Sequence, residues 1–180
     1  GAKMHEKAEE YGIVYGDKAP YEVLCTRWLS FDDIIRLKDV EELLEVYYNS
    51  GLFVYTLNVL EQYFESAFAM YDSMAQYYRI HRLAGISHSR ISRYEILKDF
   101  IEESVPDSAQ LKQVLLFDLY LRENLKTRPD FSLKHPEYKA MTAALYRKYA
   151  PAFTGQFHIE PFHIDICYFM ETGKLREKNC

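Results

Sequence analysis

The chain has 180 residues, 48% of them hydrophobic, with 22 Lys and Arg against 27 Asp and Glu for a net charge of −5. That length and apolar content suffice to bury roughly 70% of the surface the unfolded chain exposes, enough for one ordinary core, and 16 Tyr and 11 Phe against 7 Gly and 6 Pro exclude a disordered chain. The acidic balance removes the general attraction to a nucleic-acid backbone, and no apolar run approaches the roughly 18 residues of a membrane helix.

In chain order, residues 4–11 are predicted to form a short helix ended by Gly12, followed by a brief extended piece at Ile13, Val14 and Tyr15. Pro20 biases Ala19 toward extended geometry, so residues 21–26 are expected to cross the helical body as a strap. The first long helix has both boundaries written in the sequence. Ser30 with Asp33 three residues on is a capping-box pair, and Asn49-Ser50-Gly51 supplies the stop, where Gly51 can take the left-handed conformation. Between them Ile34, Leu37, Val40, Leu44, Tyr47 and Tyr48 fall on one side at about 100° per residue, opposite Lys38, Asp39, Glu42 and Glu45, which predicts a single buried face.

Residues 53–64 are predicted as a second helix, with Val54, Leu57, Leu60 and Phe64 at helical spacing. Ser66 caps a third over 67–83, and Gly85 ends it. Ser92 with Glu95 makes a capping box for 93–104, and Pro106 blocks its continuation. Asp107 with Gln110 opens a fifth helix to about residue 125; Pro136 stands at the first position of a sixth, over 137–150, with Met141, Leu145 and Tyr149 four residues apart. No repeat of fixed period runs through the chain, which disfavours a tetratricopeptide-like solenoid.

After Pro151 the pattern changes. Phe157, Ile159, Phe162, Ile164 and Ile166 alternate with His158, Glu160, His163, Asp165 and Cys167, a period of two that predicts strands interrupted near Pro161. The expected fold class is mainly α, a helical array of about six helices with a small C-terminal strand element. A helical domain over 31–150 carries a strand-containing tail over 151–180 packed on it.

The residue types that bear chemistry are few. His158, Glu160, His163 and Asp165 combine imidazole and carboxylate, the ligands of zinc and non-haem iron, and residues two apart on a strand share a face. The step of three from Glu160 to His163 requires a bulge or turn at Pro161 before all four face one way, and the polar face of a strand is the alternative. Cys25, two residues from Arg27, and Cys167 lack a base nearby in sequence and read as small core residues. His81 beside Arg79 and Arg82 reads as a cation at a helix C-terminus. Glu41, Glu42, Glu45, Glu61 and Glu65 read as a solvated face, as does the basic stretch over 126–139 with Arg147 and Lys148, which Asp130 and Glu137 interrupt. There is no Gly-rich phosphate loop, GxSxG or HExxH, and no residue is assigned as catalytic, cofactor-binding or metal-binding. Cys25, Cys167 and Cys180 are an odd number at wide spacing with no signal peptide before them, which predicts reduced thiols in a cytoplasmic protein.

One stretch carries a resemblance. APYEVLCTRWLSFDDIIRLKDVEELLEVYYNSGLF, residues 19–53, resembles the opening of a domain of unknown function at the C-terminus of cobalamin-binding radical S-adenosylmethionine proteins, often labelled iron-sulfur oxidoreductases. The preceding AEEYGIVYGDKAP resembles the passage leading out of the radical barrel in that family. A looser match continues through LLFDLYLRENLKTRP at 115–129 and FHIEPFHIDI at 157–166. The resemblance implies that 1–30 link to an upstream catalytic barrel, which is the partner, and that the segment is a C-terminal accessory domain, non-catalytic by itself; the acidic charge and the lack of a long apolar run give no nucleic-acid or membrane partner. It further implies a parent that uses S-adenosylmethionine, a four-iron iron-sulfur cluster and cobalamin. The CxxxCxxC and DxHxxG motifs that hold the cluster and place a histidine near cobalt are not in these residues, so no cofactor is expected in this segment. The alternative is a freestanding helical protein-interaction module that uses an exposed aromatic face, and a weaker third reading is a small metal enzyme built on His158, Glu160, His163 and Asp165.

Overall fold

The computed structural model describes residues 6–125, 127–132, 134, 136–152 and 159–176. They form two short strands and seven helices, a mainly α fold, and divide into two compact units, one of residues 6–50 with Phe64–Ile86, the other of Gly51–Tyr63 with the described residues from Ser87 on.

In the first unit, strand β1 (Val14–Tyr15) pairs antiparallel with β2 (Val23–Cys25), Val14 opposite Cys25 and Tyr15 opposite Val23. The strap expected over 21–26 is thus half of a two-stranded ribbon, and the small sheet lies at this end of the chain. Ser30 and Asp33 form the full capping box that opens helix α1 (Phe31–Leu43). The Asp33 amide donates to Ser30 Oγ at 3.2 Å and the Ser30 amide to Asp33 Oδ2 at 2.9 Å. Asp33 is held below the usual carboxylate range, chiefly by the Ser30 hydroxyl.

The helix then widens into one π turn, Leu44–Tyr48, in which the Asn49 amide reaches back to the Leu44 carbonyl at 2.9 Å. Tyr47 is fully buried, whereas Tyr48, expected beside it, is 66% exposed. The stripe facing helix α3 (Ala67–Ile80) runs through Arg36, Val40, Leu43 and Tyr47, and Leu37 lies outside it. There Tyr47 meets Tyr78, hydroxyl to hydroxyl at 2.7 Å with rings edge to face at 6.3 Å, among Met70, Tyr71, Met74 and Ala75. Each fully buried side chain of that size contributes roughly 1.5–3 kcal/mol. Gly51 takes φ +65° as the stop requires, and Ser66 caps α3 by accepting from the Ala69 amide at 3.1 Å.

Across α1 and α3, Arg36 Nη2 donates to Asp72 Oδ2 at 2.6 Å, its Nε to Oδ1, and Gln76 Nε2 to Oδ2 at 2.9 Å. The Arg36 hydrogen bond leads the effects that depress the carboxyl below its reference 3.8. A carboxylate with a lowered folded-state pKa adds stability that is fully present above its unfolded pKa and disappears as pH falls through the folded value. Chemical denaturation of the unaltered protein and of Asp72→Asn across the acid range is therefore expected to give a stability gap that is constant at neutral pH and closes below about pH 4. A gap independent of pH would contradict the ion pair.

The second unit holds α2 (Val54–Leu60), continued as a 3₁₀ turn over Glu61–Tyr63, and then α4 (Arg90–Ser104), α5 (Ala109–Arg122), α6 (Tyr138–Tyr149) and α7 (Ile166–Thr172). The cap of α4 is Ser89, which accepts from the Ser92 amide at 3.1 Å, so this helix begins three residues before the expected Ser92 box. Val105 is extended before Pro106, as expected. Asp107 does not cap α5, whose N-cap is Ser108, and α6 begins after Glu137 rather than at Pro136.

Phe53, Leu57, Leu60, Tyr94, Leu97, Phe100, Ile101, Leu111, Leu115 and Leu119 fill the core of this unit. Asp118, fully buried on α5, caps α2 from a distance in sequence: it accepts from the Thr56 amide and hydroxyl, both at 2.7 Å, and from the Tyr55 amide at 3.3 Å. Tyr94 on α4 donates its hydroxyl to the Leu52 carbonyl at 3.0 Å and packs its ring 4.4 Å from Phe53. Residues 52–56 are thus fixed by two buried polar groups.

The tail departs from the expected strands. Ile164 makes an isolated bridge, Asp165 accepts from the Tyr168 amide at 3.0 Å as an N-cap, and Ile166–Thr172 is the helix α7, ended by Gly173 at φ +68°. Phe157 and His158 lie outside the described residues. The alternation over 159–166 reflects a segment pinned to α5 by Gln113, whose side-chain oxygen accepts from the His163 and Ile164 amides at 2.7 and 3.2 Å. No helix among the described residues is long and apolar enough to cross a membrane.

Candidate functional site

Of the four residues singled out as metal ligands, His158 lies outside the described residues, and the other three do not converge. Glu160, its side chain 2% exposed, is engaged by Arg128, with Nε donating to Oε2 at 3.1 Å and Nη2 to Oε1. The guanidinium of Arg128 also lies 3.8 Å over the Tyr138 ring, and Tyr138 donates its hydroxyl to the Ile159 carbonyl at 3.3 Å. Next to this pair burial pushes the Tyr120 hydroxyl up to about 12. Asp165 is occupied as the cap of α7 and by Arg176 at 2.5 Å, which sits 3.9 Å over Tyr168. His163 is exposed and tied down through its backbone. Each carboxylate has an arginine partner and a structural task. Among the described residues no group of three or more His, Cys, Asp and Glu side chains is placed to hold a metal.

An open cleft of about 550 Å³ runs beside this segment, walled mainly by Met141, Leu145, Phe162 and Ile164, with Cys167 and His163 at it. Its volume falls within the range of small-molecule sites. Cys25 is half-buried on β2, and His81, at the end of α3, stacks on Tyr77 at 4.1 Å.

The unexpected feature is at the start of α1. Trp28 and Phe31 are 68% and 52% exposed, with Leu29 and Ile35 also open to solvent. Phe31 and Ile35 are one turn apart on the helix, away from the stripe that meets α3, so an apolar pair stands where the wheel is otherwise Lys38, Asp39, Glu42 and Glu45. That break in the polar face was readable in the sequence. The turn before the helix is held rigidly. Thr26 Oγ1 accepts from the Trp28 and Leu29 amides at 3.2 and 3.0 Å, the Thr26 amide donates to the Leu29 carbonyl at 2.8 Å, and the Arg27 amide donates to the Tyr11 carbonyl at 2.8 Å. Trp28 lies over Tyr11 with ring centroids 5.5 Å apart. Gly12, at φ +57°, takes the left-handed conformation that side chains disfavour and so lets the chain turn against Arg27. Large apolar groups fixed in the open by a hydrogen-bonded turn and a capping box are pre-organised for contact, which lowers the ordering cost of association.

No curated protein and no solved structure matches the chain. A family model does, over nearly its whole length: the chain belongs to the family described as protein of unknown function (DUF4080), which matches residues 9–180.

Proposed function

We propose that the chain is a C-terminal accessory domain, non-catalytic by itself, that docks on the radical barrel of a cobalamin-binding radical S-adenosylmethionine iron-sulfur oxidoreductase. The exposed apolar group Trp28, Leu29, Phe31 and Ile35 carries the reading, because it lies in the stretch whose sequence resembles the opening of such a domain. S-adenosylmethionine, the four-iron cluster and cobalamin belong in this reading to the barrel and the cobalamin-binding part of the parent. The partner is the polypeptide encoded immediately upstream in the same reading frame, and the setting is cytoplasmic. A freestanding interaction module would use the same face on another protein.

Calorimetric titration of the upstream polypeptide with this chain is expected to give saturable binding, and Phe31→Ser/Ile35→Ser to weaken it at least about tenfold while the fold is kept with only a small fall in melting temperature, because both side chains are partly exposed to solvent. Affinity insensitive to that double change overturns the proposed face. Binding to an unrelated protein with none to the upstream polypeptide favours the interaction module.

A further inference from the structure

The basic stretch that reads as a solvated face in the sequence is organised otherwise in the structure. Arg128, Lys134 and Lys139 line one open cleft of about 610 Å³, together with Pro136 and Tyr138 and no carboxylate. Arg128 is fixed there from behind by the buried Glu160 and from one side by the Tyr138 ring, so its orientation is set before any ligand arrives. Lys134 and Lys139 are exposed, and among the described residues no ion pair engages either. Lys139 is also in the first turn of α6, which has no acidic residue there and whose N-cap, Glu137, makes no side-chain cap hydrogen bond. A cation in that position opposes the helix dipole, and two unpaired lysines facing one cleft repel each other. A chain with a net charge of −5 thus places two lysines without an ion pair among the described residues beside the Glu160-paired Arg128 at one concave place.

We propose that this cleft binds a small phosphate-bearing anion, with Lys134 and Lys139 supplying the charge and the pre-set Arg128 the geometry. An ammonium pair beside a planar guanidinium suits the tetrahedral oxygens of phosphate, and the positive end of α6 adds to the attraction. The cleft exceeds the volume of a bare phosphate ion, so the esterified form of a small molecule fills it better. This inference is independent of the docking face described above.

The test is calorimetric titration of the whole chain with inorganic phosphate and with glycerol 3-phosphate, glycerol serving as the uncharged control, at about physiological ionic strength so that diffuse attraction is screened. Saturable binding of the phosphates and none of glycerol is expected. Lys134→Gln/Lys139→Gln weakens it at least about tenfold, and Lys134→Arg/Lys139→Arg retains it. Tighter binding of the ester than of phosphate identifies an esterified ligand; equal binding identifies phosphate itself. In the unaltered protein the amide resonances of 134 and 138–140 shift on titration, which localises the site without any substitution. Absence of saturable binding, affinity unchanged in the Gln variant, or binding of poly-uridylate that phosphate does not compete for overturns the proposal.

Discussion

Asp118→Ala is expected to cost about 3 kcal/mol, on the order of 10 °C in melting temperature for a chain of this size, a large part of a typical domain's stability. The carboxylate is fully buried and accepts three hydrogen bonds at the N-terminus of α2, where Phe53 offers no side-chain cap. Desolvation raises the carboxyl's pKa, and the Thr56 and Tyr55 donors work against that rise. Removing the acceptor leaves two backbone N–H groups and a hydroxyl without a partner in a dry core, each at a penalty of about 1–3 kcal/mol before relaxation. Thr56→Val is the graded control. It removes the hydroxyl bond and keeps the amide bond, so a loss of about 1 kcal/mol is expected. Urea denaturation separates the two, and an Asp118→Ala loss no larger than that of Thr56→Val contradicts the long-range cap.

The second large effect is at Glu160. Glu160→Gln is expected to destabilise by about 2–3 kcal/mol, because it strands the partly buried guanidinium of Arg128 against a neutral amide. Glu160→Leu/Arg128→Met removes both charges, and such replacements are often close to neutral, so the double variant is expected to be more stable than the single one. That ordering separates an ion pair from a metal ligand. A carboxylate waiting for a metal would leave metal-free protein unchanged or stabilised on replacement by Gln, and denaturation in the presence of a chelator reads the difference.

Where the determinants are local, the sequence was a faithful guide. The Ser30 and Asp33 box, the Ser66 cap and the left-handed Gly51 each involve groups within a few residues of one another, and all are formed, whereas α3 stops at Ile80, short of the expected Gly85. Errors begin where a second local solution exists. Ser89 and Ser92 both offer a cap for α4, and the earlier one is used. Alternation over 157–166 has the pattern of a strand, yet Asp165 and Gly173 are an N-cap and a helix stop that the same residues also contain. The buried stripe of α1 is narrower than the expected face: Arg36, Val40, Leu43 and Tyr47 follow the ordinary i, i+4, i+7, i+11 spacing, and Leu37 and Tyr48, on the flank of that face, are left exposed because packing against α3 selects one edge of it.

Pairings across long separations were not readable at all. Asp118 with Thr56, Arg128 with Glu160 and Arg36 with Asp72 join residues on different elements, and nothing in their spacing announces them. Hence Glu160 and Asp165 stood out as groups that bear chemistry, while the arginines that claim them, Arg128 and Arg176, did not. The exposed face at Trp28 to Ile35 had a visible signal in Phe31 and Ile35 on the charged side of the wheel, but only the hydrogen-bonded turn around Thr26 shows that Trp28 and Leu29 are presented with them.

Amide hydrogen exchange of this chain, alone and mixed with the upstream polypeptide proposed above as its partner, tests the docking account most directly. The account predicts new protection over 11–15 and 26–35, around the turn that carries Trp28 and Phe31, with exchange over α4 and α5 unchanged. Protection confined to the second unit, or none anywhere at concentrations that saturate binding, would contradict it.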